Sequence, residues 1–126
     1  MLYLFLMLVT MVAWRELRPA ASERRRRATL EVLDPARTTL SAGEQIALYD
    51  GVSLGRDAAS DVRLDEDSVS ARHALVRFES GRWWVEDLGS TNGTFINEAR
   101  VTGRAPLRDG DALQVGRVTG RFRTRR

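Results

Sequence analysis

The sequence from residue 28 onward predicts an all-β protein, built as a sandwich or barrel of many short strands. Short runs rich in apolar and β-branched residues recur at nearly regular spacing. Glycine, Asp-Gly and Asn-Gly breaks, which favour turns, separate these runs. No segment in this part of the chain shows the long apolar period of an amphipathic helix. Regularly spaced short strands are typical of sandwiches and barrels.

Nine of these runs are predicted strands, because each combines apolar or β-branched residues with a turn signal nearby. Most are three to five residues long, which is short for strands in globular proteins. The predicted strands are residues 29–33, 45–48, 52–54, 62–64, 74–78, 82–86, 94–96, 112–115 and 118–122.

The strand that carries two adjacent tryptophans predicts which of its faces is buried. Side chains alternate between the two faces of a strand, so Trp83 and Val85 share one face and Trp84 and Glu86 share the other. We therefore expect one tryptophan in the core and the other half exposed.

The end of the chain shows the same alternation. Val118 and Phe122 point to one side of the predicted strand. The residues on the other side are Arg117, Thr119, Arg121 and Arg123. This pattern predicts a final strand with a basic outer face rather than a loose tail that binds nucleic acid.

The uneven charge of the chain argues against a nucleic-acid-binding body. The net charge is +3, but residues 15–27 carry six arginines and two acids, and residues 117–126 carry five arginines and no acid. Residues 28–116 carry nine arginines and fifteen acids. We expect no specific nucleic-acid partner, since only the two ends could attract phosphates, and either basic end could equally be a solvated face.

The N-terminus is predicted to anchor the chain in a membrane. Residues 1–14 carry no charge, and Trp14 at their end and Arg15 after it suit the membrane interface. Fourteen residues rise only about 21 Å as a helix, against about 30 Å of hydrocarbon, so a start codon upstream would lengthen the span. A secretory signal peptide and a buried core helix are the alternatives.

A basic linker over residues 15–27 is predicted to join this anchor to a domain over residues 28–126. Positive charge lies only after the apolar run, which places the domain in the cytoplasm by the positive-inside rule. The expected localisation is therefore single-pass in the membrane. The four arginines of residues 24–27 could also contact anionic lipid headgroups, or could be a solvated flank.

Three separate loops carry residues suited to holding a phosphate. Arg56 follows the strand that ends at Gly55, and a guanidinium there can bind phosphate oxygens in pairs. Ser70 offers a hydroxyl, and the run Gly89–Thr94 offers further hydroxyls and an amide. Taken singly, each has a structural explanation: an ion pair of Arg56 with Asp57 or Asp61, a local cap by Ser70, and a plain Asn-Gly hairpin.

Catalysis is not expected. The chain has no cysteine, so there is no thiol nucleophile, and its single histidine leaves little for a metal site. No serine and carboxylate pattern surrounds His73, so we interpret it as a buried neutral imidazole that supports its loop. We expect no catalytic residue, no metal and no cofactor.

Together the three loops resemble the forkhead-associated (FHA) family. The matching motifs are Gly55-Arg56, Ser70-x-x-His73 and the run from Asp87 to Asn97, with Asp61–Leu64 and Pro106–Asp111 as further matches. The resemblance covers about residues 28–123. It implies an eleven-stranded β-sandwich whose loops at one end recognise phosphothreonine peptides.

The resemblance also implies roles for individual residues. Arg56 and Ser70 would bind the phosphate, Thr91 would assist, and Asn92 would bond the peptide main chain. Many relatives have a longer polar or basic residue where this chain has Ala71, so the affinity could be lower here or could depend on Arg72. Loop supports would be Gly55, His73, Gly93 and Asn97.

Together, the resemblance and the apolar N-terminus predict a phosphothreonine-binding adaptor tethered to the cytoplasmic face of the membrane. The arrangement is similar to small bacterial FHA proteins that act beside serine/threonine kinases. The expected partners are threonine-phosphorylated proteins and a kinase or its substrate. The alternative is a scaffold that binds partners without phosphorylation, through its sheet faces or Trp84.

Overall fold

The structure is a computed structural model that describes residues 28–124. Within this range the regular structure consists of eleven strands and no helix. The strands are β1 Ala28–Asp34, β2 Gln45–Leu48, β3 Val52–Gly55, β4 Val62–Arg63, β5 Ala74–Glu79, β6 Arg82–Asp87, β7 Thr94–Ile96, β8 Ala99–Arg100, β9 Arg104–Leu107, β10 Ala112–Val115 and β11 Val118–Thr124. The predicted eleven-stranded β-sandwich is confirmed for this part of the chain.

The strands form two sheets. The six-stranded sheet has the order β2-β1-β11-β10-β7-β8, and the five-stranded sheet has the order β4-β3-β5-β6-β9. Neighbouring strands are antiparallel except β3 and β4, which pair in parallel, with Gly55 opposite Arg63. β1 and β11, the two longest strands, are interior strands of the first sheet and pair along nearly their whole length.

Alternating side chains from both sheets fill one core. Phe122 of β11 is fully buried, and Trp83 of β6 is 5% exposed. The two rings meet edge to face with centroids 5.7 Å apart, and Phe78 contacts Trp83 in the same way at 5.3 Å. These edge-to-face contacts link β11 in one sheet to β5 and β6 in the other.

Both predictions about strand faces are confirmed. Trp83 is the tryptophan in the core, and Trp84 is partly exposed on the outer face of β6. In β11, Val118 and Phe122 are buried while Arg123 is exposed. The basic residues of this strand therefore lie on the outer face of the six-stranded sheet.

Two strands, β8 and β9, have no counterpart among the nine predicted runs. β8 is only two residues long. β9 contains Pro106, which cannot donate a backbone hydrogen bond and normally argues against a strand. Both strands lie at sheet edges, where short strands and proline are tolerated.

The membrane localisation predicted from the sequence is wrong. In residues 28–124 no helix is long and apolar enough to cross a membrane. A helical span requires about 20 consecutive apolar residues, and the described residues form only strands, turns and loops. The predicted anchor over residues 1–14, the linker over 15–27 and the last two residues of the predicted domain lie outside the described residues.

The sheet pairings place the phosphate-binding candidates at one end of the sandwich. Leu54 at the end of β3 pairs with Ala74 at the start of β5, and Ala74 pairs with Asp87 at the end of β6. Thr94 at the start of β7 pairs with Val115 at the end of β10. The loop after β3, the segment before β5, the β6–β7 loop and the β10–β11 turn therefore share this end.

Replacement of the buried ring at position 122 should destabilise the whole sandwich. We expect Phe122→Ala to lower the free energy of unfolding by about 3–5 kcal/mol, because it removes apolar contacts with Trp83 and leaves a cavity. Denaturant unfolding of the full-length chain measures this. The exposed neighbour Arg123→Ala is the control and should change stability by less than about 0.5 kcal/mol. Equal effects of the two substitutions would contradict this account of the core.

Candidate functional site

Ser70 joins the three loops singled out in the sequence. Its carbonyl oxygen accepts the N–H of Arg56 at 3.0 Å. Its hydroxyl oxygen accepts the N–H of Thr91 at 3.0 Å, and its own N–H donates to Nδ1 of His73 at 3.0 Å. The loop after β3, the segment before β5 and the β6–β7 loop are therefore bonded directly to one another.

Gly55 permits this close approach because it has no side chain. A Cβ at this position would lie 2.2 Å from the carbonyl oxygen of Ala71 and 2.8 Å from Oγ of Ser60. The first of these contacts is with backbone, which cannot swing aside. Any larger residue would therefore push the segment around Ser70 away from Arg56.

The side chain of Arg56 is exposed and forms neither of the two ion pairs that would explain it structurally. Asp61 instead accepts hydrogen bonds from the N–H and hydroxyl of Ser53, and Asp57 accepts from the N–H of Ala59 at 3.2 Å. Within residues 28–124 the guanidinium of Arg56 has neither an ion pair nor a hydrogen bond. It is available for a ligand.

Arg63 adds a second guanidinium that the sequence analysis did not single out as a site residue. It lies on β4, and its Nε donates to the carbonyl oxygen of Arg56 at 3.3 Å. The parallel pairing of β3 with β4 brings it there. Arg63 thus supports the backbone of Arg56 and adds positive charge beside it.

Thr91 and Asn92 are exposed at the tip of the β6–β7 loop. The N–H of Thr91 is fixed by Ser70, while Nδ2 of Asn92 donates to the carbonyl oxygen of Ser68 at 2.8 Å. The backbone of Thr91 and the side chain of Asn92 are therefore bonded to the segment that carries Ser70. The structure brings Arg56, Ser70, Thr91 and Asn92 together at one end.

The other polar side chains of the same loop face inward. Ser90 and Thr94 donate to Oδ1 of Asp87 at 2.5 and 2.8 Å, and the N–H of Gly93 donates to Oγ of Ser90 at 3.0 Å. Burial raises the pKa of Asp87, but the hydrogen bonds from Ser90 and Thr94 outweigh it and leave that pKa below its usual value. An ionised Asp87 thus orders the loop from inside.

His73 is fully buried and links two of the loops through its ring. Because Nδ1 accepts the N–H of Ser70, the ring proton lies on Nε2, which donates to the carbonyl oxygen of Gly93 at 2.8 Å. Burial lowers the pKa of His73, and the Gly93 bond and the charge of Asp87 offset this only in part. This is the geometry of a neutral loop support.

Gly93 and Asn97 were both predicted to support the binding loops, and they lie in different places. Gly93 has a φ of 93°, and a Cβ there would lie 3.1 Å from the ring of Phe95, so it shapes the β6–β7 loop. Asn97 lies beyond β7 and bonds to Asp111 at 3.0 Å and to the N–H of Ala112 at 2.9 Å. It supports the β9–β10 turn rather than the three loops.

Arg72 lies in the same segment as Ser70 and is exposed, as is Ala71. No hydrogen bond or ion pair within residues 28–124 directs its guanidinium toward Arg56 or Thr91. Its predicted part in binding therefore stays a prediction. In the same range no group of three or more His, Asp or Glu side chains could hold a metal ion.

An open groove of about 580 Å³ begins beside Asn92. Its walls come from the β1–β2 loop, the segment before Ser70 and the β10–β11 turn. The lining includes Arg37, Glu66, Ser68, Phe95, Gln114 and Arg117. The groove therefore lies next to the tip of the β6–β7 loop.

Comparison with known proteins identifies the family. A sequence model of the FHA domain matches residues 52–116, which is more than half of the chain. The chain therefore belongs to the FHA domain family. FHA domains are binding modules, which agrees with the expectation that this chain is not an enzyme.

Two curated relatives and one solved structure show how far the similarity extends. The glycogen accumulation regulator GarA of Mycolicibacterium smegmatis is 46% identical over 65 residues, which are 52% of this chain and 40% of that protein. FhaB of Mycobacterium tuberculosis is 40% identical over 86 residues, 68% of this chain and 51% of that protein. The chain thus spans about half the length of these relatives or less.

The solved structure comes from an analysis of phosphothreonine-dependent FHA domain interactions. It is 30% identical to this chain and superposes with a TM-score of 0.68, covering 79% of this chain and 98% of that one. The fold similarity therefore extends over nearly all of the described residues.

The buried imidazole predicts a pH dependence of stability. The folded protein keeps His73 neutral, while the unfolded chain protonates it near its ordinary pKa of 6.5. As the pH falls, the unfolded state therefore takes up the proton first. The contribution of neutral His73 to the free energy of unfolding is fully present above about pH 6.5 and is lost as the pH falls below it.

Urea unfolding of the wild type and His73→Gln, at about pH 7.5 and about pH 5.5, measures this effect. Glutamine can accept from Ser70 and donate to Gly93 but does not titrate. The wild type should lose more stability on acidification than the variant. Parallel losses in the two proteins would show that His73 does not carry the effect.

Proposed function

We propose that the chain is an adaptor that binds threonine-phosphorylated proteins in serine/threonine kinase signalling. The observation that carries this proposal is the exposed guanidinium of Arg56, which has no ion pair within residues 28–124, on a residue whose backbone N–H is bonded to the carbonyl oxygen of Ser70. A structural arginine would have an acidic partner, and Arg56 leaves both of its acidic neighbours to other groups.

The chemistry of the two groups suits a phosphate monoester. A phosphorylated side chain carries about −1.5 to −2 charges and three strong acceptor oxygens. The guanidinium of Arg56 can donate two parallel hydrogen bonds to them. Because Oγ of Ser70 accepts the N–H of Thr91, its hydrogen stays free to donate to a third oxygen.

The remaining predicted contacts extend the site along a peptide. Thr91 offers a second hydroxyl next to Ser70, and Asn92 offers its amide to the main chain of the ligand. Arg72 adds charge from the same segment as Ser70. Within the described part of the chain, no hydroxyl in this set is hydrogen-bonded to a base that would activate it as a nucleophile, so the site is suited to holding the phosphate without cleaving it.

The magnitudes favour reversible binding. Charge-assisted hydrogen bonds contribute about 1.5–3 kcal/mol each. Two or three of them, less the free energy lost on association, correspond to micromolar affinity. Such affinity allows the complex to form on phosphorylation and to dissociate when the phosphate is removed.

The comparisons support the class of ligand. The similar FHA structure belongs to a study of phosphothreonine-dependent interactions. GarA and FhaB are longer than the matched region, so their whole activities are not transferred to this chain.

The alternative function is a scaffold that binds its partners whether or not they are phosphorylated. Trp84 is the candidate contact residue for such partners. The guanidinium of Arg104 lies 4.3 Å from the centroid of the Trp84 ring. Its indole N–H donates to the carbonyl oxygen of Glu79 at 3.2 Å. The ring is thus partly covered and its polar atom is used, which leaves less of it for a partner.

Loss of the free guanidinium should abolish most of the affinity. We expect Arg56→Ala to weaken binding of a threonine-phosphorylated peptide more than about tenfold, the loss of at least one charge-assisted bond. A degenerate phosphothreonine library selects the peptide, and calorimetry measures its affinity. The fold should persist, because the bonds of Arg56 to Ser70 and Arg63 involve only its backbone.

Arg82→Ala is the matched control, since Arg82 is an exposed arginine at the opposite end of the β5–β6 hairpin. It should leave the affinity unchanged. Equal affinities of Arg56→Ala and the wild type would refute the proposed site. Binding of a cellular partner that survives phosphatase treatment would instead favour the scaffold.

A further inference from the structure

Ser68 lies two residues before Ser70, at the end of the sandwich where the loop after β3, the segment before β5, the β6–β7 loop and the β10–β11 turn meet. We call this the binding end, and Ser68 bonds to three different parts of it. Its N–H donates to Oε2 of Glu66 at 2.8 Å, and its hydroxyl donates to the same oxygen. Its hydroxyl oxygen accepts the N–H of Arg117 at 2.9 Å. Its carbonyl oxygen accepts from Nδ2 of Asn92 at 2.8 Å.

Glu66 holds Ser68 from the inner side. Its side chain is buried, with 4% of the residue exposed. A buried carboxylate is costly unless it is hydrogen-bonded, and both of its described hydrogen bonds come from Ser68. The bond from the Ser68 hydroxyl lowers the pKa of Glu66 and prevails over burial, so the carboxylate stays charged at neutral pH.

The β10–β11 turn holds Ser68 from the other side. Gly116 has a φ of 59°, and a Cβ on it would lie 2.6 Å from the carbonyl oxygen of Ser68 and 2.7 Å from its Oγ. The turn therefore packs directly against the peptide group whose oxygen binds Asn92. This leaves the Ser68 carbonyl little freedom to move.

The contact with Ser68 decides what Asn92 can offer a ligand. A carboxamide has two N–H donors and one oxygen acceptor. With one N–H on Ser68, the exposed Asn92 keeps one donor and its Oδ1 acceptor. This pair matches the acceptor and donor of a peptide backbone, whereas a flipped amide would place its oxygen against the Ser68 carbonyl.

We infer that Glu66 and Ser68 are positioning residues for peptide binding, which hold the Asn92 amide in the orientation that presents Oδ1 and one N–H to the backbone of the ligand. This inference rests on the proposed function, since it concerns how the same site binds the backbone of the peptide in addition to its phosphate. The role inferred for Glu66 and Ser68 is indirect. Their effect passes through Asn92.

The test compares a phosphothreonine peptide selected from a degenerate library with phenyl phosphate, which has no peptide groups. In the full-length chain, Glu66→Ala should lower the affinity for the peptide about tenfold, which is the equivalent of one lost hydrogen bond to the peptide backbone. Its affinity for phenyl phosphate, followed by NMR titration, should not change. Glu66→Gln retains an acceptor oxygen for Ser68 and should restore most of the peptide affinity.

Asp67→Ala is the matched control, because it removes an equal charge from the next residue, which is exposed. It should leave peptide affinity unchanged. A double-mutant cycle supplies the second readout: Glu66→Ala should have little effect once Asn92 is alanine. Ser68→Ala, which keeps the backbone carbonyl, replaces Glu66→Ala if that variant fails to fold, and should show a smaller loss confined to the peptide.

Four outcomes would overturn the inference. Equal losses for peptide and phenyl phosphate would mean that Glu66 supports the phosphate cradle in general. Additive losses with Asn92→Ala would mean that it acts by another route. A wild-type chain that binds no phosphothreonine peptide would remove the proposed function and this inference together, whereas normal peptide binding by Glu66→Ala would remove the inference alone.

Discussion

The binding end depends on the hydrogen bonds of one residue, Ser70, whose N–H, carbonyl and hydroxyl each bond a different partner. Loops that contact each other only through side chains would be free to separate, because such contacts are weak in water. Here the bonds run to backbone N–H groups and to a buried imidazole, so the positions of Arg56 and Thr91 follow from that of Ser70. The arrangement is possible only because Gly55 leaves room for it.

The polar residues of this end separate into two sets with different physical roles. Asp87, Ser90 and His73 face inward, and no buried side-chain nitrogen or oxygen in residues 28–124 lacks a partner. Arg56 and Thr91 are exposed, and their side chains form no hydrogen bond or ion pair within residues 28–124. Buried polar groups must be paired, so the inward set fixes the loops, and the outward set can bind a ligand without loss of stability.

The sequence was sufficient for the features that depend on local pattern. Alternation of side chains identified the buried side of the last strand, and the resemblance supplied the strand number and the loops. The sequence was insufficient where the signal was weak or came from distant residues. Pro106 argued against a strand at residues 104–107, which form an edge strand. The contact between Arg63 and Arg56 depends on the parallel pairing of β3 with β4, which no local run of residues predicts. The positioning role inferred for Glu66 and Ser68 likewise depends on a turn almost fifty residues away along the chain. The membrane localisation rested on one apolar run and is contradicted.

The order of the strands has a consequence for self-association. An unpaired strand edge is a template on which another copy of a chain can add, and this is how fibrils grow. Within residues 28–124, two of the outermost strands, β4 and β8, are only two residues long, and a third, β9, contains Pro106. Three of the four edges therefore offer a second copy only a short or interrupted ladder to extend, which disfavours growth of either sheet by addition of another chain.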